Sequence, residues 1–322
     1  MQNERYPKIY IRSKNELAKH LSHKKFSKDE ALNLINDVMR NFNQYWKHNE
    51  VMSEPEKEKY VRNAKGTPLG KLLDKINTQV LAPHDSILPC FIFGGVKEKN
   101  HVQASQHLLG TKRLRVALKM DITHFFEQVT SERVYNFFLH KCGCDKRASK
   151  ILTNLCCVTV GPKDSNLEKK TIARGFATSS RLAVWCNLDT FIKLERLVQK
   201  RLKGKDPRVA IYVDDIGVTA SRVSKEEMEK LATEIEELLL HTDKNQPLPV
   251  NAKKTKVTSH DEGIEHLGLK LNKNTLSLGK KSWSKRDQMK SYLKKDLSVQ
   301  EKTSIRTKYR AMSQYKRYVE SF

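Results

Sequence analysis

The stretch RVAIYVDDIGVTA, Arg208 to Ala220, sets two adjacent carboxylates, Asp214 and Asp215, between two apolar β-branched runs. One aspartate at a strand end is ordinary turn chemistry, because Asp bonds its own backbone and tolerates tight turns. Two in a row repel each other unless positive charge sits on them. A solvated hairpin tip is the plain reading. A divalent-metal site is the sharper one, since hard oxygen ligands suit Mg²⁺. Both readings predict a β-hairpin with the acids at its tip.

Composition narrows the choice. The chain has 322 residues, enough for two or three packed subdomains. It carries 61 Lys+Arg against 37 Asp+Glu, a net charge of +24. So large a charge calls for a polyanion, and nucleic acid is a commoner one than an anionic membrane surface. No run of about 18 apolar residues, signal peptide or lipidation motif stands out, so no membrane partner is expected. The six cysteines form no CxxC pair and no knuckle at zinc spacing, which predicts reduced, partly buried thiols of a cytosolic protein.

Along the chain, Ser27 to Glu30 reads as a capping box opening a helix with Ala31, Ile35 and Val38 on its apolar face. Lys57 to Lys65 is a strand-like piece dense in cations, and Leu69 to Val80 is helical. Arg115 to Ile122 reads as a strand ending on an acid, followed by a helix with Ser131 as its N-cap. One helix is expected from Ser179 through Ile192, and another after Ser224 with Met228, Leu231, Ile235 and Leu239 buried. Lys254–Ser259 and Ile264–Leu271 are expected to pair around Asp261, Glu262 and Gly263. This order predicts an α+β sheet backed by helices, not a regular βαβ array. From residue 280 onward cations interleave with Trp283, Tyr292, Tyr309, Tyr315 and Tyr318, as in a helical clamp on a phosphate backbone.

Asp121 and the Asp214–Asp215 pair each sit where an expected strand stops. If those strands are neighbours, three carboxylates converge and raise each other's pKa unless divalent cations neutralise them. Two Mg²⁺ ions roughly 3.5–4 Å apart would do so, one activating an attacking hydroxyl and the other steadying a leaving phosphate.

YVDD, Tyr212 to Asp215, resembles the YxDD box of reverse transcriptases, and other boxes accompany it in order. LKMDITHFF (Leu118 to Phe126) resembles the first catalytic motif, an aspartate followed by paired aromatics. IARGFATSSRLA (Ile172 to Ala183) resembles the glycine-centred template-and-nucleotide loop, and VNAKKT (Val250 to Thr255) the lysine motif. HLGL (His266 to Leu269) resembles the primer grip. Among relatives the chain is most similar to bacterial retron and defence-associated enzymes, through QASQH (Gln103 to His107) and TLSLGKK (Thr275 to Lys281). Arg174 stands where the family has glutamine, Ser180 where it has proline, Val184 where it has asparagine, and His124 where many members have an acid. The subclass, retron or other defence-associated enzyme, therefore stays open.

The resemblance implies a right-hand polymerase: an antiparallel palm sheet backed by helices, with fingers and a helical basic thumb. It places an N-terminal helical extension at 1–58, fingers at 59–114, a catalytic palm with finger insertions at 115–262, and primer grip and thumb at 263–322. It implies Asp121, Asp214 and Asp215 as ligands of two Mg²⁺ ions, helped by the Ile122 carbonyl. Lys254, or its neighbour Lys253, would protonate the departing pyrophosphate. Lys59, Arg62, Ile122, Thr123, Phe126, Arg174 and Gly175 would line the nucleotide site, with Phe126 as a gate against a 2′-hydroxyl. Gln106, His107, His266, Gly268, Lys285 and Arg286 would contact nucleic acid. The implied partners are an RNA template, a cognate noncoding RNA, dNTPs, the DNA product and an effector protein, in bacterial cytoplasm and antiviral defence. Template-independent or protein-primed DNA synthesis is one alternative. A non-catalytic RNA binder on a polymerase scaffold is the other.

Overall fold

The computed structural model describes residues 5–112, 114–163, 165–295 and 298–322. Two helices open the chain, α1 (Lys14–Leu21) and α2 (Lys28–Asn41), and Ser27 and Glu30 close the expected capping box on the second. Their buried faces, Leu17, Leu21, Ile35 and Val38, belong to the main hydrophobic core. β1 (Lys47–His48) pairs with β2 (Arg62–Asn63), so only two residues of the expected cationic strand enter a ladder. A 3-10 turn at Pro55–Lys57 takes up its start, with Pro fixing the first position. α3 (Pro68–Lys75) starts on a Thr67 cap and runs into a wider π-type segment at Ile76–Leu81. α4 (His101–Leu109) is capped by Asn100.

β3 (Arg115–Asp121) follows, then the one-turn α5 (Phe125–Gln128) and α6 (Ser131–Asn136). The cap of α6 is Thr130, one residue before the expected Ser131, and its hydroxyl accepts from Arg133 N–H at 3.2 Å. Next come α7 (Lys146–Cys156), the short pair β4 (Cys157–Thr159) and β5 (Lys170–Ile172), then α8 (Ser179–Cys186) and α9 (Leu188–Arg201). The single helix expected from Ser179 to Ile192 breaks at Asn187, whose side-chain amide turns back to donate to the Ala183 carbonyl at 2.8 Å. An Asn that satisfies a carbonyl of the preceding turn competes with helix propagation.

The chain then forms the expected hairpin, β6 (Arg208–Tyr212) and β7 (Asp215–Ser221), the Ser224-capped α10 (Lys225–His241) and β8 (Lys256–Ser259). β9 (Ile264–His266), β10 (Leu269–Leu271) and β11 (Leu276–Leu278) make a separate three-stranded sheet. The expected pairing of 254–259 with 264–271 is therefore corrected: β8 lies on β3, and 264–271 folds back on itself at Leu267 and Gly268, both at positive φ. α11 (Lys280–Tyr292) and α12 (Val299–Glu320) end the chain.

The central sheet is antiparallel throughout, in the order β6-β7-β3-β8. Side chains alternate across a strand, so Leu118 and Met120 of β3, with Ile216 and Val218 of β7, enter the main core. Ala117 and Ala210 face the other way, into a second cluster with Leu108 and Leu109 of α4, β9–β11 and Val319 of α12. Lys119, Asp121 and Asp215 share the side of Ala117 by the same alternation. No described helix is long and apolar enough to cross a membrane.

Candidate active site

Register brings the acids together. Asp121 is the direct cross-strand partner of Asp215, and Tyr212 pairs with Asp215 across the two-residue loop Val213–Asp214. That loop puts Val213 at φ +59°, a left-handed conformation costing a β-branched residue about 1–3 kcal/mol. Its neighbours hold it there: Gly94 lies so close that an added Cβ would stand 2.2 Å from Val213 N. The Asp214 carbonyl accepts from Ile122 N–H at 3.0 Å, and the Asp121 carbonyl accepts from Asn251 N–H at 2.8 Å. Thr123 is tied to the Pro249 carbonyl at 2.8 Å. Three segments distant in sequence are thus stitched backbone to backbone at one sheet edge.

Burial, then the charges of Asp215 and Asp121, pushes the Asp214 carboxyl above the usual carboxylate range. Burial raises Asp215 too, with Asp121 adding to the shift and Lys119 opposing it. Two lysines stand where cations are needed. Lys254 Nζ bridges both Asp121 oxygens at 2.9 Å, and Lys119 Nζ lies 3.3 Å from Asp215 Oδ1. Lys254, and not the neighbouring exposed Lys253, makes the ion pair with Asp121. Among the described residues no three His, Cys, Asp or Glu side chains converge tightly enough to hold an ion as they stand. The donor chemistry nevertheless fits divalent cations: hard oxygen ligands, half-buried, repelling each other and already drawing two ammonium groups. Lys119 is a site residue that sequence reading missed. Its signal was there, two residues before Asp121 and so on the same face of β3.

Of the expected nucleotide-site residues, Phe126, Arg174, Gly175 and Arg62 lie together on one flank. Phe126 is buried, with the Arg174 guanidinium 4.7 Å from its ring centroid. Arg174 donates Nε–H to Glu127 Oε1 at 3.2 Å and Nη2–H to Oε2 at 3.0 Å, a partner not foreseen from sequence. Gly175 sits at φ +100°, where a Cβ would meet the Arg62 carbonyl at 2.3 Å. Glycine alone fits that approach. Arg62 differs from expectation: its guanidinium is buried and donates to the carbonyls of Tyr60, Thr159 and Gly161. It braces this flank instead of standing free for phosphate. Lys59 is ion-paired with Glu54 at 2.8 Å.

The expected nucleic-acid contacts fall on three elements, α4, the β9–β10 hairpin and α11. Gln106 and His107 line an open cleft of about 460 Å³ with Phe93, Lys99 and Arg208, and burial beside those cations lowers the His107 pKa. Gly268 turns between β9 and β10, its carbonyl accepting from Gly279 N–H at 2.9 Å. His266 is a correction: it is buried beneath Gly217, its pKa pushed by burial down to about 3, so its ring supports β7 rather than meeting solvent. Lys285 is exposed on α11, while Arg286 stacks between Trp283 and Tyr309, 5.5 and 5.1 Å from their ring centroids.

The family model described as "Reverse transcriptase (RNA-dependent DNA polymerase)" matches residues 55–271, more than half of the chain. No curated protein matched the sequence. Residues 55–271 contain all three carboxylates, Lys254 and the Arg174–Gly175 loop, joined here on a palm-type antiparallel sheet. The chain belongs to the reverse transcriptase family, the RNA-directed DNA polymerases.

Proposed function

We propose that this RNA-directed DNA polymerase extends a primer with dNTPs by a two-metal mechanism centred on Asp121, Asp214 and Asp215. The observation that carries the reading is the cross-strand pairing of Asp121 with Asp215 beside Asp214 at φ-strained Val213. Two Mg²⁺ ions, when bound, lower the pKa of the attacking hydroxyl and neutralise the leaving pyrophosphate. The three carboxylates and the Ile122 carbonyl are the groups that would hold them. Lys254 and Lys119 compensate the acids through ion pairs to Asp121 and Asp215 at 2.9 and 3.3 Å. Lys254, whose ammonium lies against Asp121, is the group that would give a proton to the pyrophosphate oxygen. Phe126 and Gly175 bound the sugar and base side.

The domain division into N-terminal extension, fingers, palm and thumb belongs to the same reading. The two-helix C-terminal unit, rich in cations and aromatics, serves as the thumb. A cognate noncoding RNA, an effector protein, cytoplasmic location and a bacterial antiviral role are supported by the likeness at Gln103–His107 and Thr275–Lys281. dNTP incorporation on a primed RNA template, wild type beside Asp214→Asn, tests the core of the proposal. Loss of incorporation in the variant is expected; equal activity, or none in either protein with its copurified RNA supplied, overturns it. Sequencing the product separates templated from template-independent synthesis.

A further inference from the structure

We propose that Glu127 and Arg174 are positioning residues that brace Phe126, so that selection against a 2′-hydroxyl rests on a three-residue stack instead of one ring. The inference rests on the polymerase reading above. Phe126 and Glu127 are consecutive on the single turn α5, while Arg174 comes from the loop after β5. The guanidinium is fixed at every level. Its root is held by Arg62 N–H, which donates to the Arg174 carbonyl at 2.7 Å. Its plane is set by the two-point fork on Glu127, at 3.2 and 3.0 Å. Its face lies against Phe126, 4.7 Å from the ring centroid. A ring backed in this way cannot swing aside to admit a bulkier sugar.

The charge pattern argues against Arg174 as a simple phosphate grip. Two of its five N–H donors are spent on Glu127, whose charge offsets its own, and both side chains are mostly buried, at 17% and 13% exposure. An arginine tied down by a neighbouring acid acts through shape more than through charge. Lysine cannot substitute, because an ammonium has no planar fork to match a carboxylate and no face to stack on phenyl.

The test is single-nucleotide incorporation on a primed RNA template, with kcat and KM measured for a dNTP and the matching rNTP. The ratio of the two kcat/KM values is independent of how much enzyme is folded, so partial misfolding does not blur it. Phe126→Ala should abolish selectivity. Glu127→Gln and Arg174→Lys should each cut it by about tenfold, mainly through a lower KM for the rNTP. The double variant should be no worse than either single one, because the two residues act as one unit. Glu127→Asp, which keeps the charge, should recover part of the loss. Ratios within about twofold of wild type in both single variants, with Phe126→Ala unselective, overturn the brace alone. A wild type that incorporates neither nucleotide overturns the polymerase reading and the brace with it.

Discussion

Asp214 sits in an environment that disfavours its own charge. Burial and two neighbouring acids raise its pKa, so in the apo protein its ionisation opposes folding. With a raised folded-state pKa, the carboxyl's favourable contribution to stability is intact below the unfolded value, about 3.9, and is lost as pH rises through the folded value. Asp214→Asn should therefore melt above wild type at pH 8 in chelator, and the gap should close as the pH approaches 4. Added Mg²⁺ should raise the melting temperature of wild type and leave the variant nearly unmoved. Calorimetry at the two pH values checks both; a variant less stable than wild type in chelator at pH 8 contradicts the account. At Gly175 the constraint is steric. Ala there meets the Arg62 carbonyl at 2.3 Å and an unfavourable φ, so Gly175→Ala should cost about 2 kcal/mol in denaturant unfolding. The three acids and this glycine were legible in the sequence because strand ends and short motifs announce them. Glu127 was not singled out, since a partner contributed by packing has no local signature, whereas Lys119 was passed over although its place two residues before Asp121 sets it on the same face of β3.

Among the elements, the hairpin, β3 and α10 were legible because alternation, helical periodicity and caps all agree there. The break at Asn187 and the fold-back of 264–271 were not, because a side-chain amide bond and two left-handed residues decide them. The far end of the catalytic sheet shows what keeps the acids in register. Buried Arg115 donates to Asp206 Oδ2 at 2.7 Å and to Thr219 at 3.0 and 3.1 Å, joining β3, β7 and the entry to β6. Burial opposes ionisation of Asp206, but Thr111 N–H and Arg115 outweigh it and hold the carboxyl well below the usual range. A depressed folded-state pKa gives stability above the unfolded value that fades as pH falls towards the folded one. Asp206→Asn leaves a buried guanidinium short of its counter-charge and should destabilise by about 3 kcal/mol at pH 7. The difference from wild type should narrow below about pH 4. Urea unfolding at both pH values measures it.

Across the whole molecule, the net charge of +24 was readable from composition, but where it works depends on which cations the fold leaves unpaired. Several are spent internally, on carboxylates or on backbone carbonyls: Arg62, Arg115, Arg174 and Arg181, the last on Asp85 at 2.8 Å. The C-terminal pair differs. α11 has no buried residue and α12 buries only Val319, so most of its cations stay in water. Lys285 and Arg286, adjacent in sequence, should therefore behave unlike each other. Lys285 is exposed, and a lysine touching one phosphate releases about one counterion on binding. Lys285→Ala should lower the slope of log K against log salt by about 1 for a primer–template duplex and leave the melting temperature unchanged. Arg286 packs between Trp283 and Tyr309 and donates to the Tyr309 hydroxyl at 3.1 Å, holding α11 on α12. Arg286→Ala should also lose about 1 kcal/mol of stability, because its aliphatic stem and planar head are packing as well as charge. Fluorescence binding titrations over a range of salt, paired with melting curves, separate the two. Equal effects of both substitutions on slope and stability would mean that the stack around Arg286 contributes nothing to joining the helices.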